Sequence, residues 1–229
     1  GKLFEAEKNI LKALELNPNS SLAYNNLGNI YSDYGRIEEA EKSYRKAINL
    51  NPKDYMSYNN LGSLFSTKGD LINGEKLTQL ALDINPKFEL AYVNLGLIKT
   101  DLDKIDEAEN CFKFAIKIKK DYQYAYRSLW NLYEKTNSVE KLKNHLNLAK
   151  DYKFLKNELL LFNSRISFRE KKYDLAKQLI DKIPENWPDT KENFTRILFW
   201  SFKGFIEEKV NNFDIAYVCF SNSQKNSKF

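Results

Sequence analysis

The chain has 229 residues, a net charge of +5, an ordinary apolar share of 42%, and only eight glycines and five prolines. It is long enough to bury a sizeable core, and the scarcity of breakers points to helices joined by short turns. No apolar run reaches the ~18 residues of a membrane helix, and the opening Gly1-Lys2-Leu3-Phe4-Glu5 lacks a signal-peptide pattern, so a cytoplasmic location is expected. Cys111 and Cys219 lie far apart with no Cys/His cluster, which argues against a disulfide framework or a zinc site; no metal or cofactor is expected.

Residues 1–20 are expected to form a lone second helix whose partner is missing, ended by Pro18. From Ser21 onward a strict interval appears. Gly28, Gly62 and Gly96 are evenly spaced. Tyr24, Tyr58, Tyr92 and Tyr126 keep the same step, as do Leu27, Leu61, Leu95 and Leu129, and Ala47, Ala81, Ala115 and Ala149. Within the first unit, Tyr24, Leu27, Ile30 and Tyr31 form one apolar stripe at helical spacing. Ile37, Ala40, Tyr44, Ala47 and Ile48 form a second. Each unit is therefore a helix pair. Gly35 and Gly69 should close first helices in left-handed conformation, and Pro52 and Pro86 should stop second helices. One pair cannot bury its stripe alone, so the units must stack.

The segment 21–54, with Tyr24, Leu27, Gly28, Tyr31, Gly35, Ala40, Tyr44, Ala47 and Pro52, resembles a complete tetratricopeptide (TPR) repeat. The resemblance implies an all-α, right-handed α-solenoid (superhelix) of antiparallel helix pairs. It continues through 55–88, 89–122 and 123–156, giving four regular repeats over 21–156. Departures accumulate along the chain: Gly74 replaces Ala, Trp130 replaces a small residue, and Asn163 and Ser167 occupy normally apolar positions. Residues 157–229 read as two divergent repeats with an insertion near 184–190, beside Pro184-Glu185-Asn186-Trp187-Pro188. The missing initiator Met and the uncapped ends suggest part of a longer protein, and such ends could support self-association.

In this family the first helices line a groove. Carried over by position, the groove takes Leu22, Asn25, Asn26, Asn29, Ser32 and Asp33 from the first repeat and Met56, Asn59, Asn60, Ser63, Ser66 and Thr67 from the second. The third adds Leu90, Val93, Asn94, Leu97, Thr100 and Asp101, and the fourth Tyr124, Arg127, Ser128, Asn131, Glu134 and Lys135. Asn26, Asn60 and Asn94 form a column with Asn25, Asn29, Asn59 and Asn131 beside it. A carboxamide donates and accepts, so such a column can grip a peptide backbone whatever its side chains. The column resembles the asparagine ladder in the TPR region of O-linked N-acetylglucosamine transferases. Leu22, Met56, Leu90 and Tyr124 form a parallel apolar stripe that could read side chains, with Arg127 beside it. On this reading Asn60→Ala should weaken a partner and leave the fold intact. The same amides could equally serve neighbouring backbone. Asn25, Leu90 and Asn94 stand where a chaperone-tail carboxylate clamp needs cations, so that clamp is absent.

The expected function is a non-enzymatic scaffold binding a protein or peptide. His145 is the single histidine and lacks a catalytic motif around it. Two alternatives stand beside this reading. Residues 1–118 carry about −2 and 119–229 about +7, and lysines such as Lys153 and Lys156 alternate with tyrosines, as in a weak nucleic-acid surface; interspersed acids disfavour this. The last unit, Phe199 to Tyr217, resembles the repeat preceding the catalytic domain of bacterial TPR-linked sulfotransferases, which would make this region a presenter of substrate.

Overall fold

The computed structural model describes residues 2–187 and 193–226, and among these every regular element is helical. The helices are α1 (Lys2–Leu16), α2 (Ser21–Asp33), α3 (Ile37–Leu50), α4 (Tyr55–Thr67), α5 (Leu71–Ile84), α6 (Glu89–Asp101), α7 (Ile105–Ile118), α8 (Gln123–Lys135) and α9 (Val139–Leu148). A 3-10 turn, Lys153–Leu155, leads into α10 (Lys156–Arg169), α11 (Tyr173–Ile180), α12 (Asn193–Lys209) and α13 (Phe213–Asn226). The chain divides into two compact units, 1–132 and 133–229. Of the expected insertion near 184–190, residues 188–190 lie outside the described residues.

Local chemistry sets the helix ends. Ser20 Oγ accepts from the Ala23 N–H and Asp54 Oδ1 from the Ser57 N–H, capping α2 and α4. Helices α1, α3 and α5 stop two residues before Pro18, Pro52 and Pro86. Gly35 and Gly69 adopt the expected positive φ of 71° and 85°. The conformation recurs where no glycine marks it, at Asp103, Asn137, Lys171 and Asn211. At all six corners the next N–H donates to a carbonyl five residues back, as in Arg36 to Tyr31 and Lys172 to Ser167, so orphan carbonyls at each helix end are satisfied.

In the first unit the pairs close through small residues. A Cβ on Gly28 would lie 2.5 Å from the Tyr44 ring, and one on Gly96 2.5 Å from that of Phe112. The α4–α5 pair reaches the same closeness differently. A Cβ on Gly62 would meet Thr78 Oγ1 at 2.5 Å and one on Gly74 the Gly62 carbonyl at 3.0 Å, so backbones approach where an Ala would intrude. Trp130, expected to crowd a small-residue position, is fully buried and meets Tyr126 edge-on at 5.9 Å. Between pairs, Ala81 and Leu82 at the end of α5 pack with Ala91 and Leu95 of α6, sealing that junction. In the second unit the core gathers Leu161, Ala176, Ile180, Ile183, Phe199, Trp200, Ile206 and Cys219.

Candidate functional site

The exposed faces of α2, α4 and α6 carry most of the expected groove residues of the first unit. Asn26 and Asn29 are exposed, Asn60 and Asn94 half-buried, and Asn131 of α8 exposed. Leu22 and Met56 are 57% and 38% exposed, large enough fractions for direct contact with a ligand. Leu90, Tyr124 and Arg127 are half-buried, with the Arg127 guanidinium 5.7 Å from the Tyr124 ring centre.

Asn25 and Asn59 lie elsewhere. They are 4% and 1% exposed, beneath the groove floor. The reason is visible in the bonding. Asn60 Nδ2 donates to Asn25 Oδ1 and to Asn29 Oδ1, both at 3.0 Å, and Asn94 Nδ2 donates to Asn59 Oδ1 at 2.9 Å. Each half-buried amide thus reaches back to the preceding repeat, and the buried amides receive it. The Ser57 hydroxyl lies 3.0 Å from Asn25 Oδ1 and 2.8 Å from Asp54 Oδ2, tying the first rung to the α4 cap. The Tyr44 hydroxyl donates to Asn29 Oδ1 at 2.8 Å. Burial, with the nearby Asp33 charge, pushes that phenol up to about 12, so it remains a donor at any physiological pH.

The asparagines therefore do two jobs. Asn60 spends both amide hydrogens inside the protein, so the expectation that its removal would leave the fold intact now carries a stability cost. Asn94 spends one hydrogen, and the Asn26 side chain makes no hydrogen bond to the protein among the described residues. Sequence reasoning placed the column and missed Tyr44, Ser57 and Asp54, whose side chains complete the network. Asp54 carried a signal, as the residue before a helix-opening Tyr-Met-Ser.

Two depressions open on this face. One of about 230 Å³ is lined by Asn29, Asp33, Tyr44, Asn60, Ser63 and Thr67. The next, about 310 Å³, takes Ser63, Ser66, Thr67, Asn94, Leu97 and Asp101. They share Ser63 and Thr67, so they adjoin along the stack. Amides, hydroxyls and carboxylates together present donors and acceptors to an extended chain, and Asp33 and Asp101 bias the face toward N–H-rich or cationic groups.

The remaining reactive groups lie outside this face. Burial pushes the Cys111 thiol up to about 11 and the Cys219 thiol upward too, which keeps both protonated near neutrality. His145 meets Tyr133 edge-on at 6.3 Å. Among the described residues no group of three or more His, Cys, Asp or Glu could hold a metal, and no helix is long and apolar enough to cross a membrane. Several distal cations are paired: Arg165 with Glu134 at 2.7 Å, and Lys143 and Lys172 with Glu170 at 3.0 and 2.7 Å.

Tetratricopeptide-repeat family models match residues 21–54, 43–76 and 90–122. No curated protein sequence matches the chain. A TPR protein from Parabacteroides merdae superposes with a TM-score of 0.73 at 19% identity, over 98% of this chain and 87% of that one. MamA aligns with a TM-score of 0.55 at 26% identity, over 64% of this chain and 88% of its own. YrrB, described as a TPR protein with an unusual peptide-binding site, aligns with a TM-score of 0.55 at 17% identity, over 79% and 93%. The recurrent helix pairs, their glycine-aromatic contacts and the matched repeat models lead to one assignment: residues 21–76 and 90–122 are tetratricopeptide repeats.

Proposed function

We propose that this chain is a protein-interaction scaffold that holds an extended peptide of a partner along the exposed faces of α2, α4 and α6. The observation carrying this reading is the pair of adjoining depressions lined by Asn29 and Asn60 and by Asn94, with Ser63 and Thr67 between them. Asn26 and Asn94 offer the unspent amide groups, and Leu22 and Met56 offer apolar contact. Asn60, Asn25 and Asn59 act from beneath by fixing the spacing of the rungs. A few neutral hydrogen bonds at about 1 kcal/mol each fall well short of the roughly 8 kcal/mol of micromolar binding, so apolar contact with Leu22 and Met56 must supply much of any affinity at that level.

The test is affinity capture from the source lysate with wild type and an Asn26→Ala/Asn94→Ala variant, at about 50 and about 200 mM salt. Circular dichroism confirms that the variant is folded. A protein retained by wild type at both salts and lost by the variant supports the groove. Equal retention by the two proteins would refute it.

A further inference from the structure

The second unit contains a cavity unrelated to the amide groove. It measures about 800 Å³ and lies where the end of α9 meets α10, walled by Leu159, Leu160 and Asn163, by Lys150, Tyr152, Lys153 and Lys156, and by Lys182 from beyond α11. That volume is within the range of about 300–1,000 Å³ typical of ligand sites.

Its origin can be read from the repeat register. At the α5–α6 junction, Leu82 and Leu95 pack together and seal the contact. The equivalent positions at the α9–α10 junction hold Lys150 and Asn163. Both apolar partners of one contact have become polar, and both line the same cavity. Shortened helices open it further. Helices α3, α5 and α7 run 14 residues, whereas α9 runs 10 and α11 only 8. The four residues missing from α9 would span about 6 Å and the six missing from α11 about 9 Å.

Charge then selects the occupant. Lys150, Lys153, Lys156 and Lys182 converge here, with Asp151 the one carboxylate in the wall. None of the four makes an ion pair among the described residues, whereas Lys143, Arg165, Arg169, Lys172, Lys177 and Lys203 all do. Glu134, Glu170, Asp181 and Glu207 are committed to those pairs; Glu170, for example, is held at about 2 by hydrogen bonds from Lys172 and Lys143. The floor is aliphatic, from Leu159 and Leu160, and the Tyr152 ring is stacked on Phe154 at 5.4 Å, leaving at most one face of it for a base.

We propose that this cavity is a second binding site, taking a short acidic peptide whose carboxylates meet the four lysines and whose aliphatic side chains meet Leu159 and Leu160. The lost Leu–Leu seal is the cost of making it.

The probe is a fluorescein-labelled hexapeptide alternating glutamate and leucine, followed by fluorescence anisotropy on the full chain at about 50 mM salt. Lys153→Glu/Lys156→Glu should weaken binding at least tenfold. Lys171→Glu/Lys209→Glu, an equal charge change outside the cavity, should alter it less than threefold. Lys150→Ile/Asn163→Leu restores the apolar register and should yield a folded protein, with an unchanged helical circular dichroism spectrum, that no longer binds. Three results would each overturn the proposal: no binding by wild type, equal loss in the two charge-reversal variants, or retained binding after the cavity is refilled. A single-stranded oligothymidylate that binds tighter than the peptide and competes with it would also overturn it, by making the surface a nucleic-acid site.

Discussion

The ring of Phe112 occupies the space that a side chain on Gly96 would need: an added Cβ would sit 2.5 Å from Phe112 Cε1. Phe112 is itself 1% exposed, so the ring has little room to withdraw. Gly96→Ala should therefore cost about 1–3 kcal/mol despite its better helix propensity. Urea denaturation of Gly96→Ala, Phe112→Leu and the double variant checks this. The double should be more stable than the sum of the singles implies, because a smaller partner makes room for the methyl. Strict additivity would mean that the two residues do not share the contact.

Asn60→Ala should lower stability by about 1–3 kcal/mol, since it removes two hydrogen bonds between repeats and leaves the buried Asn25 Oδ1 with fewer donors. Asn26→Ala, on an exposed amide, should change stability by less than about 0.5 kcal/mol. Denaturation midpoints of the two variants side by side decide the point.

Lys171 holds φ at 61°, a conformation glycine adopts at no steric cost. Lys171→Gly should stabilise by about 1 kcal/mol. Asn137→Gly, at a φ of 53°, should gain less, because Asn tolerates this region better than Lys. Thermal melts of both variants provide the comparison, and a loss of stability at Lys171→Gly would contradict the assignment of strain there.

Acid should loosen the first unit partly through Glu75. The hydrogen bond from Lys99, at 2.8 Å, holds this carboxyl below its ordinary value of 4.5, against the opposing effect of burial. A carboxyl depressed by folding stabilises above its unfolded pKa, and the contribution disappears as pH falls through the folded value. Stability should thus drop below about pH 4.5, and Glu75→Gln should flatten that slope while lowering stability at neutral pH. Urea midpoints across pH 3–7 measure it, and an unchanged slope in Glu75→Gln would remove Glu75 from the account.

The helix pairs could be read from residues because packing repeats its demands at each turn of the stack. Gly28, Gly62 and Gly96 recur because an aromatic ring or a neighbouring backbone needs the same space each time. The corners at Asp103, Asn137 and Lys171 escaped notice, since hydrogen bonding to the helix end outweighs the steric cost of a side chain there. The asparagine column was legible as a column, but its direction was not. Whether an amide faces a ligand or reaches back to the previous repeat depends on side-chain torsions, which spacing does not encode. That is why Asn25 and Asn59 were expected on the surface and are buried. Asn163 was visible as a departure, and its significance emerged only with Lys150 beside it in space.

The amide rungs also make recognition and elasticity inseparable in the first unit. A peptide that takes the hydrogens of Asn60 for itself must first release Asn25 and Asn29, loosening α4 from α2. One that uses Asn26 and the remaining hydrogen of Asn94 leaves that rung closed. Ligands of equal affinity could thus leave the stack either softer or unchanged, a difference that amide hydrogen exchange along α2 and α4 would register.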